Sequence, residues 1–176
     1  MKKQIIFLSI ILIAAFSAYA QNTPEQNLLN QANDMGEKFI TKDYKGFLKY
    51  THPATVKTMG GDKKMLAEVT KSFQEFERDG IKILGITFGT PAKILTVNKE
   101  LQCTLPQSIE MRIPTGKVTA ISTLLAISED QGKNWFFLDT GSNDLMTMQM
   151  LLPQLSDELV IPPPSDPIFE EELKTE

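Results

Sequence analysis

Phe73-Gln74-Glu75-Phe76-Glu77-Arg78-Asp79-Gly80-Ile81-Lys82-Ile83-Leu84-Gly85-Ile86-Thr87-Phe88 is the stretch in which the hydrophobic period of the chain changes. Upstream, Leu66, Val69, Phe73 and Phe76 keep the three-to-four-residue spacing of one helix face. Downstream, Leu84, Ile86 and Phe88 alternate with small or polar neighbours, the period of a strand. Gly80 stops the helix. The chain therefore reads as helices first and strands afterwards.

Working back from the switch, Thr23-Pro24-Glu25-Gln26 is a helix start: a hydroxyl cap, a proline in the first turn, and Gln three residues after the cap. Leu28, Ala32, Met35 and Phe39 then form one apolar stripe. A shorter helical piece covers Asp43 to Tyr50, Pro53 opens another turn, Gly60-Gly61 ends it, and Asp62 is placed to cap the next helix. Working forward, Ala92 to Asn98 and Leu101 to Leu105 are strand candidates, and Ile109, Met111 and Ile113 alternate up to a turn at Pro114-Thr115-Gly116. Val118 to Ser128 is a long β-branched strand with Asn134 to Thr140 as its hairpin partner, and Asn143 to Leu152 is a final amphipathic piece. Helices segregated ahead of consecutive antiparallel strands predict an α+β fold, not a parallel βαβ sheet.

The remaining chain divides by composition. Lys2-Lys3, an apolar run from Ile5 to Phe16 and Ala18-Tyr19-Ala20 have the three-part order of a secretory signal peptide, so residues 1–20 are expected to be removed, leaving a chain that begins at Gln21. That places the protein in an exported setting, periplasmic or extracellular, with no membrane span after signal removal. Residues 21–155 form a single α+β domain in which 15 basic and 15 acidic residues balance, which offers no electrostatic footprint for nucleic acid. Residues 156–176 carry seven acids against one base, together with Pro162-Pro163-Pro164 and Pro167. They read as an acidic, Pro-rich C-terminal tail, dispensable for folding and beginning where the apolar stripe of the body ends at Leu155. Its apolar Leu159, Val160, Ile161, Ile168 and Phe169 could lie along the body or in a partner's groove, with weak or partner-dependent attachment expected.

One Cys and one His exclude a disulfide framework, a thiolate metal site and a multi-histidine centre, so no metal or cofactor is expected. Cys103 alternates with Leu101 and Leu105 and reads as a buried, inert thiol. No phosphate-binding Gly loop, dinucleotide fingerprint, H-E-x-x-H or G-x-S-x-G is present. Ser128-Glu129-Asp130-Gln131-Gly132-Lys133-Asn134-Trp135 matches S-x-D-x-G-x-x-W and resembles the Asp-box of sialidases and related propellers. There it is a repeated structural hairpin remote from catalysis; here it occurs once and is read as a turn.

The order of elements, Tyr44-Lys45-Gly46-Phe47-Leu48 leading to His52-Pro53, Gly60-Gly61, and the hairpin strand Trp135-Phe136-Phe137-Leu138-Asp139 together resemble the nuclear transport factor 2-like superfamily over about residues 25–141. The resemblance implies N-terminal helices packed in a curved antiparallel sheet, a cone with an apolar pocket, and frequent homodimers through the sheet face. Members of that superfamily include isomerase- and dehydratase-like enzymes and many noncatalytic binders. By residue type, Tyr44, His52 and Asp139 are the pocket or rim candidates, with His52 also placed to cap a helix-entry turn before Pro53. No catalytic residue carries over from the superfamily. Three readings follow: an exported noncatalytic binding module holding a small apolar ligand or meeting a partner on its sheet face; a small isomerase- or dehydratase-like enzyme on an apolar ligand; and a structural or assembly component of the cell envelope. Two converging ionisable groups in the pocket would favour the enzyme, and the binding module is the leading reading.

Overall fold

The computed structural model describes residues 22–171; the expected signal peptide, residues 1–20, lies outside them. Helix α1 (Pro24–Ile40) starts as its sequence predicts, with the Gln26 N–H donating to Thr23 Oγ1 and the Thr23 N–H to Gln26 Oε1, a reciprocal capping box. Its face of Leu28, Ala32, Met35 and Gly36 is buried. Helix α2 (Tyr44–Leu48) is capped by Asp43, and α3 (Pro53–Thr58) by His52. Helix α4 (Asp62–Arg78) begins one residue earlier than the sequence suggests: Gly61 is the cap residue, no side chain caps the helix, and Asp62 sits in its first turn. Helix α4 packs on α2 and α3, and Met65 is its one buried residue.

The second half is an open six-stranded antiparallel sheet, so the fold is α+β. Its strands are β1 (Lys82–Phe88), β2 (Leu95–Val97), β3 (Glu100–Ile113), β4 (Gly116–Ser128), β5 (Phe136–Asp139) and β6 (Ile168–Glu171). The order is β1-β3-β4-β5, with β2 also on β3 and β6 also on β4. The central pair β3–β4 runs in unbroken register from Ile113↔Gly116 to Leu101↔Ser128.

Two local expectations change. The separate strands expected at 101–105 and 109–113 are one strand, which passes through Pro106. Pro106 accepts from the Gly89 N–H (2.9 Å), so its ring nitrogen faces the same side, where β1 has ended at Phe88 and β2 begins only at Leu95. The missing donor therefore faces a break in the sheet and not β4. In β1 the register shifts between Ile83 and Gly85, a bulge that leaves Leu84 exposed while Ile86 and Phe88 stay in step with Ile109 and Gln107.

Alternation along β3, β4 and β5 gives the sheet two apolar faces. Cys103, Leu105, Leu124, Ala126 and Phe137 pack with Trp135 on Leu28, Ala32 and Met35 of α1. Leu125 and Ile127 pack the other way, on Met148 of α5 (Leu145–Leu151) and on Leu152, Leu155 and Leu159 beyond it. The protein thus has three layers: N-terminal helices, sheet, and a C-terminal segment.

That third layer takes in the start of the expected tail. The apolar stripe does not end at Leu155, because Leu159 is buried in the same cluster. Fully buried Gln102 clamps the segment, its amide donating to the Gln154 carbonyl (3.1 Å) and its Oε1 accepting the Ser156 N–H (3.0 Å). The chain then continues through its prolines to β6, which adds to the edge of β4 at Gly116 to Thr119. The prolines oppose helix and inner strand but lie ahead of β6, which is proline-free and at an edge.

Candidate functional site

Between α1 and the sheet lies a cavity of about 230 Å³. Met35, Gly36 and Phe39 of α1 and Phe47 of α2 form one wall. Ile86, Ile109, Leu124 and Phe137, on the helix-facing side of β1, β3, β4 and β5, form the opposite wall. Its polar lining is Thr51, Gln107 and Asp139. The residues that line it follow from period-two geometry: Phe137 and Asp139 are two apart on β5, and Gln107 and Ile109 two apart on β3.

Asp139 is fixed by three donors. Its Oδ1 accepts the Gly141 N–H (2.7 Å), and its Oδ2 accepts the Ser122 hydroxyl (3.0 Å) and, at 3.4 Å, the Gln107 amide. The same Gln107 amide donates to Ser122 Oγ (3.2 Å), so the carboxylate ends a small polar network spanning β3, β4 and β5. Thr51 reaches the cavity because residues 50–52 cover the free edge of β5: the Phe137 N–H donates to the Tyr50 carbonyl (2.7 Å) and the His52 N–H to the Phe137 carbonyl (3.4 Å).

Of the three residues singled out from the sequence, only Asp139 lines this cavity. Tyr44 stacks on Phe73 (ring centroids 4.8 Å, 24° between planes) and joins α2 to α4; burial raises its phenol pKa, with Lys42 opposing. His52 is buried and caps α3, its Nδ1 accepting the Ala54 N–H (3.2 Å), with its ring edge-on to Phe136 (6.0 Å). Burial lowers the His52 pKa, and Glu129 and Glu100 partly offset it. The three residues therefore do not form one site.

Gln107 and Ser122 were missed at the level of sequence. Gln107 continues the inward alternation of Cys103 and Leu105, and a polar residue in such a run marks a buried hydrogen-bonding position. Ser122 carries no comparable signal, since its role depends on strand register. Cys103 is fully buried, and burial pushes its thiol up to about 12, out of reach of nucleophilic use near neutral pH.

The S-x-D-x-G-x-x-W stretch is a tight hairpin loop away from the cavity lining. Asp130 Oδ1 accepts the Ser128 hydroxyl (3.0 Å) and the Asn134 N–H (2.8 Å), and Ser128 Oγ accepts the Gly132 N–H (2.8 Å). Desolvation works to raise the Asp130 pKa, but these bonds outweigh it and hold the carboxyl below its ordinary value. Gly132 has φ 84°, and a Cβ there would lie 2.6 Å from Pro24 Cβ. Asn27 and Gln31 of α1 donate to the Lys133 carbonyl (2.7 and 2.8 Å), so the motif fastens the hairpin to α1.

Among the described residues no group of three or more His, Cys, Asp or Glu is arranged to hold a metal ion, and no helix is long and apolar enough to cross a membrane. Comparison with protein-family models, curated proteins and solved structures found no match for the chain.

Proposed function

We propose that this chain is a noncatalytic binding module that holds a small ligand in the cavity between α1 and the sheet. The observation that carries the reading is the cavity's composition: apolar walls and a single ionisable side chain, Asp139, among the residues that line it. General acid–base chemistry uses a carboxylate facing a second group that gives or holds a proton, and Tyr44 and His52 are not among the lining residues. The volume, about 230 Å³, lies between the roughly 150 Å³ that accepts benzene and the roughly 300 Å³ at the lower end of drug-sized pockets.

Helices ahead of an antiparallel sheet, with a cavity between them, support the nuclear transport factor 2-like reading and its cone. The N-terminal pattern of residues 1–20 supports an exported setting. One observation favours the enzyme as second reading: the Asp139 carboxylate is positioned by Ser122 and Gln107 as a general base would be.

The test is ligand-linked stability. A compact apolar probe at about 100 times its Kd should add about 2.7 kcal/mol, a rise in Tm of roughly 5–10 °C for a domain of this size. The rise should vanish in Ile109→Phe, which fills the cavity. A set of compounds of up to about ten non-hydrogen atoms that leaves Tm unmoved, or a rise that persists in Ile109→Phe, overturns the reading. Turnover abolished by Asp139→Asn would establish the enzyme instead.

A further inference from the structure

The cavity is electrically one-sided. Phe39, Phe47 and Phe137 come to it from three different elements, and Asp139 is the one charged residue that lines it. The three donors on Asp139, from Gly141, Ser122 and Gln107, fix the carboxylate in place but bring no positive charge. Among the described residues, lysine and arginine pair with Asp34, Asp43, Glu75, Glu77, Glu110 and Glu170, and none pairs with Asp139. Asp139 is also exposed, so its charge is open to a ligand entering at that end.

An unpaired carboxylate beside apolar walls repels an anion and attracts a cation. Phenylalanine rings add to it, because an ammonium is drawn to the negative face of an aromatic ring. The volume limits the guest: scaled from benzene in about 150 Å³, 230 Å³ admits about nine non-hydrogen atoms. We propose that the pocket binds a small organic ammonium, its nitrogen at Asp139 and its apolar body against Phe39, Phe47 and Phe137. This rests on the reading of the cavity as a ligand site and adds the sign of the ligand's charge. A charge-assisted hydrogen bond from the ammonium takes the lone-pair position on Oδ1 that Gly141 leaves free.

The experiment compares three probes of nearly equal shape on the isotope-labelled protein by NMR titration: benzylammonium, neutral ethylbenzene and anionic benzoate. Benzylammonium should bind about tenfold more tightly than ethylbenzene, with benzoate weakest. Asp139→Asn should bring benzylammonium to within about twofold of ethylbenzene, since the amide keeps a hydrogen-bond acceptor and removes the charge. Ethylbenzene binding as tightly as benzylammonium to the native protein overturns the charge preference and leaves the small-ligand reading standing. A preference that survives in Asp139→Asn overturns the role of Asp139. Failure of all three probes to shift the amides of cavity residues overturns both readings. If the variant does not fold, the ordering in the native protein still decides the charge preference, and a benzylammonium shift of the Gly141 amide no larger than that of ethylbenzene overturns the role of Asp139.

Discussion

His52 caps α3 through a lone pair that protonation removes. Nδ1 accepts the Ala54 N–H, and the buried ring lies edge-on to Phe136. Burial lowers its pKa from the ordinary 6.5, with Glu129 and Glu100 opposing. The unfolded chain therefore takes up this proton at higher pH than the native one does. The stability linked to His52 is complete above pH 6.5 and is lost as pH falls from there through the lowered native value. Melting curves at pH 7.5, 6.5 and 5.5 should show Tm falling across this window in the native chain. His52→Asn, whose side-chain oxygen can still cap the helix, should flatten that part of the fall. Equal slopes in the two proteins would assign the acid sensitivity to other groups. Tyr50 shows the opposite shift: burial and its hydrogen bond to Asp34 push its phenol up to about 12, so it donates across the accessible pH range and ties residue 50 to α1.

Strand β6 depends on a backbone opening at Gly116. A Cβ there would lie 2.3 Å from the Glu170 carbonyl oxygen and 3.2 Å from the Phe169 ring, and its φ of 153° is itself unusual for a side-chain-bearing residue. The side chains of β6 are exposed, and the Lys117–Glu170 pair (3.6 Å) is partly exposed and worth little. Main-chain pairing is thus the principal tie of β6 to the sheet. Gly116→Ala should expel it. Hydrogen exchange of the amides of Ile168–Glu171 should rise toward the unprotected rate, while the paired amides of Leu101–Leu105 in β3 keep their protection. Retained protection in β6 would mean that the edge of β4 shifts to admit the methyl group.

Leu159 makes the C-terminal segment part of the fold: it closes the cluster of Leu125, Ile127, Met148, Leu152 and Leu155 on the sheet face away from α1. Its truncation to Ala should cost about 2–5 kcal/mol, lowering Tm by roughly 5–15 °C in a protein of this length. A fall of less than about 2 °C would return the segment to the status of a loosely attached tail. The starts of α1, α2 and α3, the change of period at Gly80, the hairpin at Ser128–Trp135 and the inward position of Cys103 were all legible in the sequence. Each is set by neighbours within a few residues: a cap three positions from its partner, a glycine at positive φ, an alternation of side chains. One strand through Pro106 was not legible, because it depends on which side of β3 lacks a neighbour. The candidate site was legible only at Asp139. Tyr44 and His52 have suitable chemistry, but the path of residues 44–52 turns one ring onto Phe73 and makes the other the cap of α3. The docking of Leu159 was legible as an alternative, from an apolar side chain atypical of a solvated tail, but not its strength: charge and proline content describe a segment's cost in isolation, while Gln102 and the apolar face of β4 supply what offsets it. The sequence by itself determined what each segment could become, since period, capping and turn chemistry act locally. Tertiary structure alone decided which side chains share the cavity, because register and layer packing join residues far apart in the chain.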